Sequence, residues 1–233
     1  MTMNIDPQTL ILETLAQKSV VKQKVYENTL NGFKTLKNVC KYISQNTRKS
    51  LKEINPKIAC EYKESGNFQI ELTIAGDLIL FVMHTNVFVF DRSHPVWKTP
   101  MVNKDPYTAY CGIINIYNFL ADSFRYNRSE DIGYLIGRIF INKDNHFFVE
   151  GKRQLGVLYG NFSDDIVNRR SMRNVVQSSI LYSLDFDLLV PPYDQSSLIT
   201  VSQLLERKNY AQMKTGKRLG FKFYNENEDY NQL

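Results

Sequence analysis

"FQIELTIAGDLILFVMH", residues 68–84, decides the fold. Phe68, Ile70, Leu72 and Ile74 alternate with Gln69, Glu71 and Thr73, the period of a strand with one buried and one wet face. Gly76-Asp77 then signals a turn. Leu78–His84 is apolar on both faces, as a strand inside a sheet must be. The stretch reads as a β-hairpin, and similar runs flank it. Ile58–Glu64 precedes it across Gly66-Asn67, and Val87–Asp91 follows Thr85-Asn86, again apolar on both faces and expected to be central. Two more strands, near 132–142 and 145–151, turn at Lys143-Asp144-Asn145, and Leu155–Tyr159 offers another. Connections this short join antiparallel neighbours, so the reading is a mostly antiparallel sheet of about six strands.

Helices surround that sheet. Asp6-Pro7 is a start signal, an Asp cap before a Pro whose missing N–H costs nothing there. Leu10, Ile11, Thr14 and Leu15 give a short helix ending near Lys18. A second helix, about 21–54, places Val25, Phe33, Leu36, Cys40, Ile43, Leu51 and Ile54 at helical or heptad-like spacing. Asn55-Pro56 stops it, because the residue before Pro avoids the α region. Asp105-Pro106 repeats the start signal, and Ile113, Ile116, Tyr117, Leu120, Ala121 and Phe124 then predict a helix over 106–126. Ser163 or Asp164 caps a helix through about 184, and Ser197 a last one beyond Pro191-Pro192. The expectation is one α+β domain over 1–233. Residues 1–56 form an N-terminal helical pair, 57–225 the sheet and further helices, and 226–233 an acidic, frayed tail.

The chain has 233 residues, 43% of them hydrophobic, enough for one good core. No apolar run reaches the ~18 residues of a membrane span, and the N-terminus lacks the basic region of a secretory signal. Cys40, Cys60 and Cys111 share no C-x-x-C spacing and fit buried thiols in a reducing cytoplasm. There is no P-loop, G-x-S-x-G or G-x-G-x-x-G. His84, His94 and His146 share no metal-ligand spacing, so no metal and no cofactor is expected.

Charge carries more information. The net charge is +5. Ten basic residues between Lys18 and Lys57, opposed by Glu27 and Glu53, put +8 on that segment and leave −3 for the rest. At 100° per residue Lys34, Lys37, Lys41, Arg48 and Lys52 fall within a sector of about 60°, a positive stripe about 27 Å long beside the apolar seam. Such a stripe meets an acidic protein face or a phosphate backbone. Protein is preferred, because lysine outnumbers arginine and no aromatics interleave for stacking. Trp97, in the loop 92–105, is a candidate anchor, and Arg125 and Arg128 a candidate anion or partner site. The seam Phe33, Leu36, Cys40, Ile43 packs on the sheet or pairs two subunits, which leaves a homodimer open.

Two motif resemblances add alternatives. "EDIGYLIGRIFINKDNHFFVEGK", 130–152, resembles the PD-(D/E)xK nuclease pattern, with Asp131 before one strand and Glu150 and Lys152 across the hairpin. The resemblance implies a catalytic set in which the carboxylates hold Mg²⁺ and the lysine activates water. Glu130 stands where that pattern has proline, and Gly151 where it has a β-branched residue. "KTGKRLGFKFYN", 214–225, is similar to the first ribonucleoprotein motif of RNA-recognition domains, with Leu219 in place of a glycine and Lys222 inside the apolar core. It reads equally as an edge strand guarded by lysine. The preferred reading is an intracellular, non-catalytic binding or regulatory protein. The alternatives are a Mg²⁺-dependent nuclease and a sequence-tolerant nucleic-acid binder.

Overall fold

The computed structural model describes residues 6–152, 155–156 and 159–186; the expected helix at Ser197, the strand at Leu219–Tyr224 and the acidic tail lie outside them. The chain is α+β. Helix α1 (Pro7–Thr14) opens on Asp6, whose carboxylate accepts from the backbone of Thr9. A π-helical turn, Leu15–Ser19, leads into α2 (Val20–Ile54) without any break in the helical backbone. The expected pair is therefore one rod. Nothing between Thr14 and Val21 is a Gly or Pro, so nothing stops the first helix. Asn55, extended before Pro56, ends the rod as its sequence requires.

Among the described residues seven strands follow: β1 (Cys60–Glu64), β2 (Gln69–Ile74), β3 (Asp77–Met83), β4 (Phe88–Val89), β5 (Tyr110–Leu120), β6 (Tyr134–Asn142) and β7 (Phe147–Gly151). The sheet runs β1-β2-β3-β5-β6-β7, with the short β4 paired to the start of β5, and every pair is antiparallel. The hairpin at 68–84 forms as read, with Ile70 opposite Phe81 and Leu72 opposite Ile79. Short helices α3 (Pro100–Lys104) and α4 (Ala121–Arg125) lie in connections, and α5 (Arg169–Leu184) packs beside α2.

Four expectations need correction. The helix expected over 106–126 is instead the long strand β5. Asp105 does cap a turn, Pro106–Ala109, but the chain then extends, burying Cys111, Ile114, Ile116 and Asn118. Three isoleucines in four positions prefer an extended backbone, and that outweighed the helical spacing. Val87–Asp91 is not central: only Phe88–Val89 pairs, and both are exposed. Leu155 and Gly156 have helical backbone rather than strand. Finally, α5 begins at Arg169, not Ser163, because Asn168 and Ser171 build a reciprocal capping box there.

One sheet face is covered by α2 and α5. Phe33, Leu36, Cys40 and Ile43 of α2 join Ile70, Leu72, Phe81, Ile114, Ile139 and Phe147 in the main core. The seam is thus filled by the sheet, so it cannot also serve as a subunit seam. The helix comes very close at one point: a Cβ on Gly112 would lie 2.0 Å from Thr29 Oγ1. Asn28 clamps the same region, donating to the carbonyls of Asn142 (3.1 Å) and Lys143 (2.8 Å). The opposite face is closed in part by a second cluster, Val96, Val102, Ala109, Cys111, Phe140 and Phe162, with Phe90 and Trp97 packed on it.

Candidate functional site

The outward surface of α2 begins beside β1. Lys34, Lys41, Arg48 and Lys52 are exposed, and among the described residues none of them forms an ion pair. Lys37 differs from the rest of its stripe. It is half-buried, its Nζ lies 2.8 Å from Glu64 Oε2, and it sits 5.5 Å over the Phe33 ring. That hydrogen bond, with a second from Tyr62 Oη (2.7 Å), holds the Glu64 carboxyl below its ordinary range. Lys37 ties the rod to β1 and has little charge left for a partner.

Further round the rod lies a feature that sequence spacing did not reveal. Tyr42 falls roughly 80–140° from the residues of the lysine sector, with Asn38, Gln45 and Lys49 between. The residue is 39% exposed, and Arg169 and Arg173 of α5 each place Cζ 5.3 Å from its ring centroid. The helical layer therefore carries a second basic edge, contributed by a helix 127 residues away in sequence from Tyr42 to Arg169. Arg169, Arg170 and Arg173 occupy the first turns of α5, where the helix dipole already presents its positive end. Clustering cations there opposes helix stability, so the local sequence departs from what α5 alone would select. No carboxylate interrupts 28–52 of α2 or any part of α5. A run of arginines at the head of a helix was the available signal, but only the packing of α5 on α2 gives it meaning.

The remaining candidates have separate addresses. Trp97 is half-buried on the second cluster, its Nε1 donating to the Phe90 carbonyl (3.1 Å), with the Arg92 guanidinium 3.8 Å from its ring. Arg125 is exposed near Tyr126. Arg128 is mostly buried and committed to Asp131, Nη1 to Oδ2 3.7 Å. Asp131 also accepts from Ser123 Oγ (2.6 Å), in a hollow of about 290 Å³ with Phe119 and Phe124. Glu150 lies elsewhere, cross-strand from Arg138, which bonds it through Nε at 2.8 Å. Glu150 and Lys152 line a different hollow of about 230 Å³. Asp131 is not brought to Glu150 and Lys152, and each carboxylate is matched by its own arginine.

Two of the three histidines serve turns: His84 Nδ1 accepts from Asn86 and His94 Nδ1 from Val96, each through the backbone N–H. Cys40, Cys60 and Cys111 are unpaired and buried, and burial pushes all three thiols up, so none is poised as a thiolate. Among the described residues no group of three or more His, Cys, Asp or Glu is placed to hold a metal, and no helix is long and apolar enough to cross a membrane. No family model matches the chain, and no curated protein or solved structure matches it.

Proposed function

We propose that this chain is an intracellular, non-catalytic binding protein that engages an acidic macromolecule through the outer face of α2 and α5. The observation that carries this reading is the composite basic face. Lys34, Lys41, Arg48, Lys49 and Lys52 join Arg169, Arg170 and Arg173 beside exposed Tyr42, with no carboxylate in 28–52 of α2 or anywhere on α5 to offset them. A field of one sign over a rigid helical surface steers an oppositely charged partner into register. Rigidity comes from below, because the same helices anchor the main core.

An acidic protein surface is the first reading, since the stripe beside β1 is mostly lysine and offers no rings along its length. Nucleic acid is the second, favoured by exposed Tyr42 beside two arginines, since a ring can stack on a base while guanidinium groups take phosphate. Anisotropy titrations of labelled polyglutamate and of a labelled single-stranded oligonucleotide, over a series of salt concentrations, test both. Saturable binding that weakens as salt rises supports the proposal. A log-linear dependence, with slope about −0.7 for each phosphate neutralised, identifies nucleic acid. Folded protein that binds neither probe at low salt contradicts the proposal.

A further inference from the structure

The cleft beside Trp97 has no part in the helical face, yet it combines two chemistries seldom found together by accident. It encloses about 690 Å³, within the ~300–1,000 Å³ range of small-ligand sites. Phe90, Trp97, Tyr107 and Tyr110 give it aromatic walls, and Lys18 and Arg92 give it two cations. The walls come from three places: the π-helical turn of the rod, the segment after β4, and the turn before β5. A hydrogen bond from Tyr107 Oη to Gln17 Oε1 (3.1 Å) fixes the rod against the turn. Trp97 is held by its own bond to the Phe90 carbonyl, so its plane is set before any ligand arrives. Arg92 sits over Trp97, its Cζ 3.8 Å from the ring centroid, so cation and ring share one surface of the cleft.

One carboxylate, Asp91, shares the cleft. Oδ1 accepts from both the backbone and the hydroxyl of Ser93, and these bonds, the hydroxyl's first, lower its pKa. It stays ionised at neutral pH as an acceptor for a ring N–H. Stacking faces, two cations and one acceptor describe a flat, N–H-bearing ring that carries an anionic group. The geometry points to a binding site for a nucleoside monophosphate, with the base against the tyrosine and tryptophan rings and the phosphate between Lys18 and Arg92.

Trp97 is the chain's one tryptophan, so its emission reports the cleft alone. The test titrates wild-type protein with adenosine 5′-monophosphate, and in parallel with adenosine and with inorganic phosphate. The expected result is saturable quenching by the monophosphate, with each half-ligand at least about tenfold weaker, since each lacks one interaction class. Lys18→Gln, on an exposed helical turn, should weaken the monophosphate about tenfold while leaving adenosine unchanged. Lys57→Gln, beyond the far end of α2, should change neither. Equilibrium dialysis of Arg92→Gln gives a second reading independent of the tryptophan signal, with the same expected loss. Wild-type protein, folded by circular dichroism, that shows no saturable response to the monophosphate into the millimolar range overturns the site. So does binding that Lys18→Gln and Arg92→Gln both leave intact.

Discussion

The two faces of the sheet are closed by different materials. On one, two helices lay Phe33, Leu36 and Val176 onto Phe81, Ile114 and Phe147, and every one of these side chains is buried. On the other, short turns lay rings against rings: Phe90 packs at a tilt on Phe140 and Phe148 (5.0 and 5.7 Å between centroids), and Trp97 stays half-exposed. Regular helices need only one side for the core, so the other side becomes a flat, patterned, charged surface. Irregular turns cannot tile a face completely. They leave a cleft at their margin.

The largest expected effect tests this difference in packing. Phe33→Ala should cost about 3–5 kcal/mol, as for a fully enclosed aromatic, while Phe90→Ala should cost clearly less because its site opens to solvent. Urea unfolding of the two variants measures both. Equal costs would mean that the second cluster is as essential as the first.

Next is the point of closest approach between layers. Gly112→Ala drives a methyl into Thr29, which is itself buried and bonded to the Val25 carbonyl, and should cost about 1–3 kcal/mol. Adding Thr29→Ala should recover part of that, a non-additivity that shifts in melting temperature will show. The clamp at the same end gives a related test. Asn28→Ala leaves the Asn142 and Lys143 carbonyls short of a donor and should cost about 1–3 kcal/mol.

These contacts explain how much could be read from the chain. The hairpin at 68–84 was legible because alternation, turn and apolar run agree there. The rod's end at Asn55-Pro56 was legible for the same reason, a local signal with one physical meaning. β5 was not. Its apolar residues satisfy a helical and an extended period at once, and the deciding partners, β3 and β6, are brought to it only by the fold. The site divides likewise. The lysines of α2 share a face by helix geometry alone, but the loss of Lys37 to Glu64 and the gain of Arg169 and Arg173 beside Tyr42 are tertiary facts.

A smaller effect concerns pH at the junction between the two coverings. Asp105, before β5, pairs with Lys143 of the β6–β7 turn at 2.9 Å. That bond is the main pull on Asp105, partly opposed by desolvation and assisted by the Tyr107 backbone, and it sets its pKa below the ordinary 3.8. A carboxylate so lowered stabilises the fold in full above its unfolded value and loses that contribution as pH falls through the folded one. Asp105→Asn should therefore cost a few tenths of a kcal/mol at pH 7, given the partial exposure of both groups. The gap from wild type should be constant from pH 7 to about 5 and close below about 4. Thermal melts across that range measure it.

The central claim is that the helical face, and not the loop face, holds the acidic partner. Its most direct measurement compares affinities for the better of the two acidic probes in three proteins: wild type, Lys41→Glu with Arg48→Glu, and Arg169→Glu with Arg173→Glu. These side chains are exposed, so unfolding midpoints should move little. Both reversals should weaken binding at least about tenfold at low salt, and flatten its salt dependence. Affinity unchanged by both pairs, in proteins of unchanged stability, would show the helical face to be a solvated surface and nothing more.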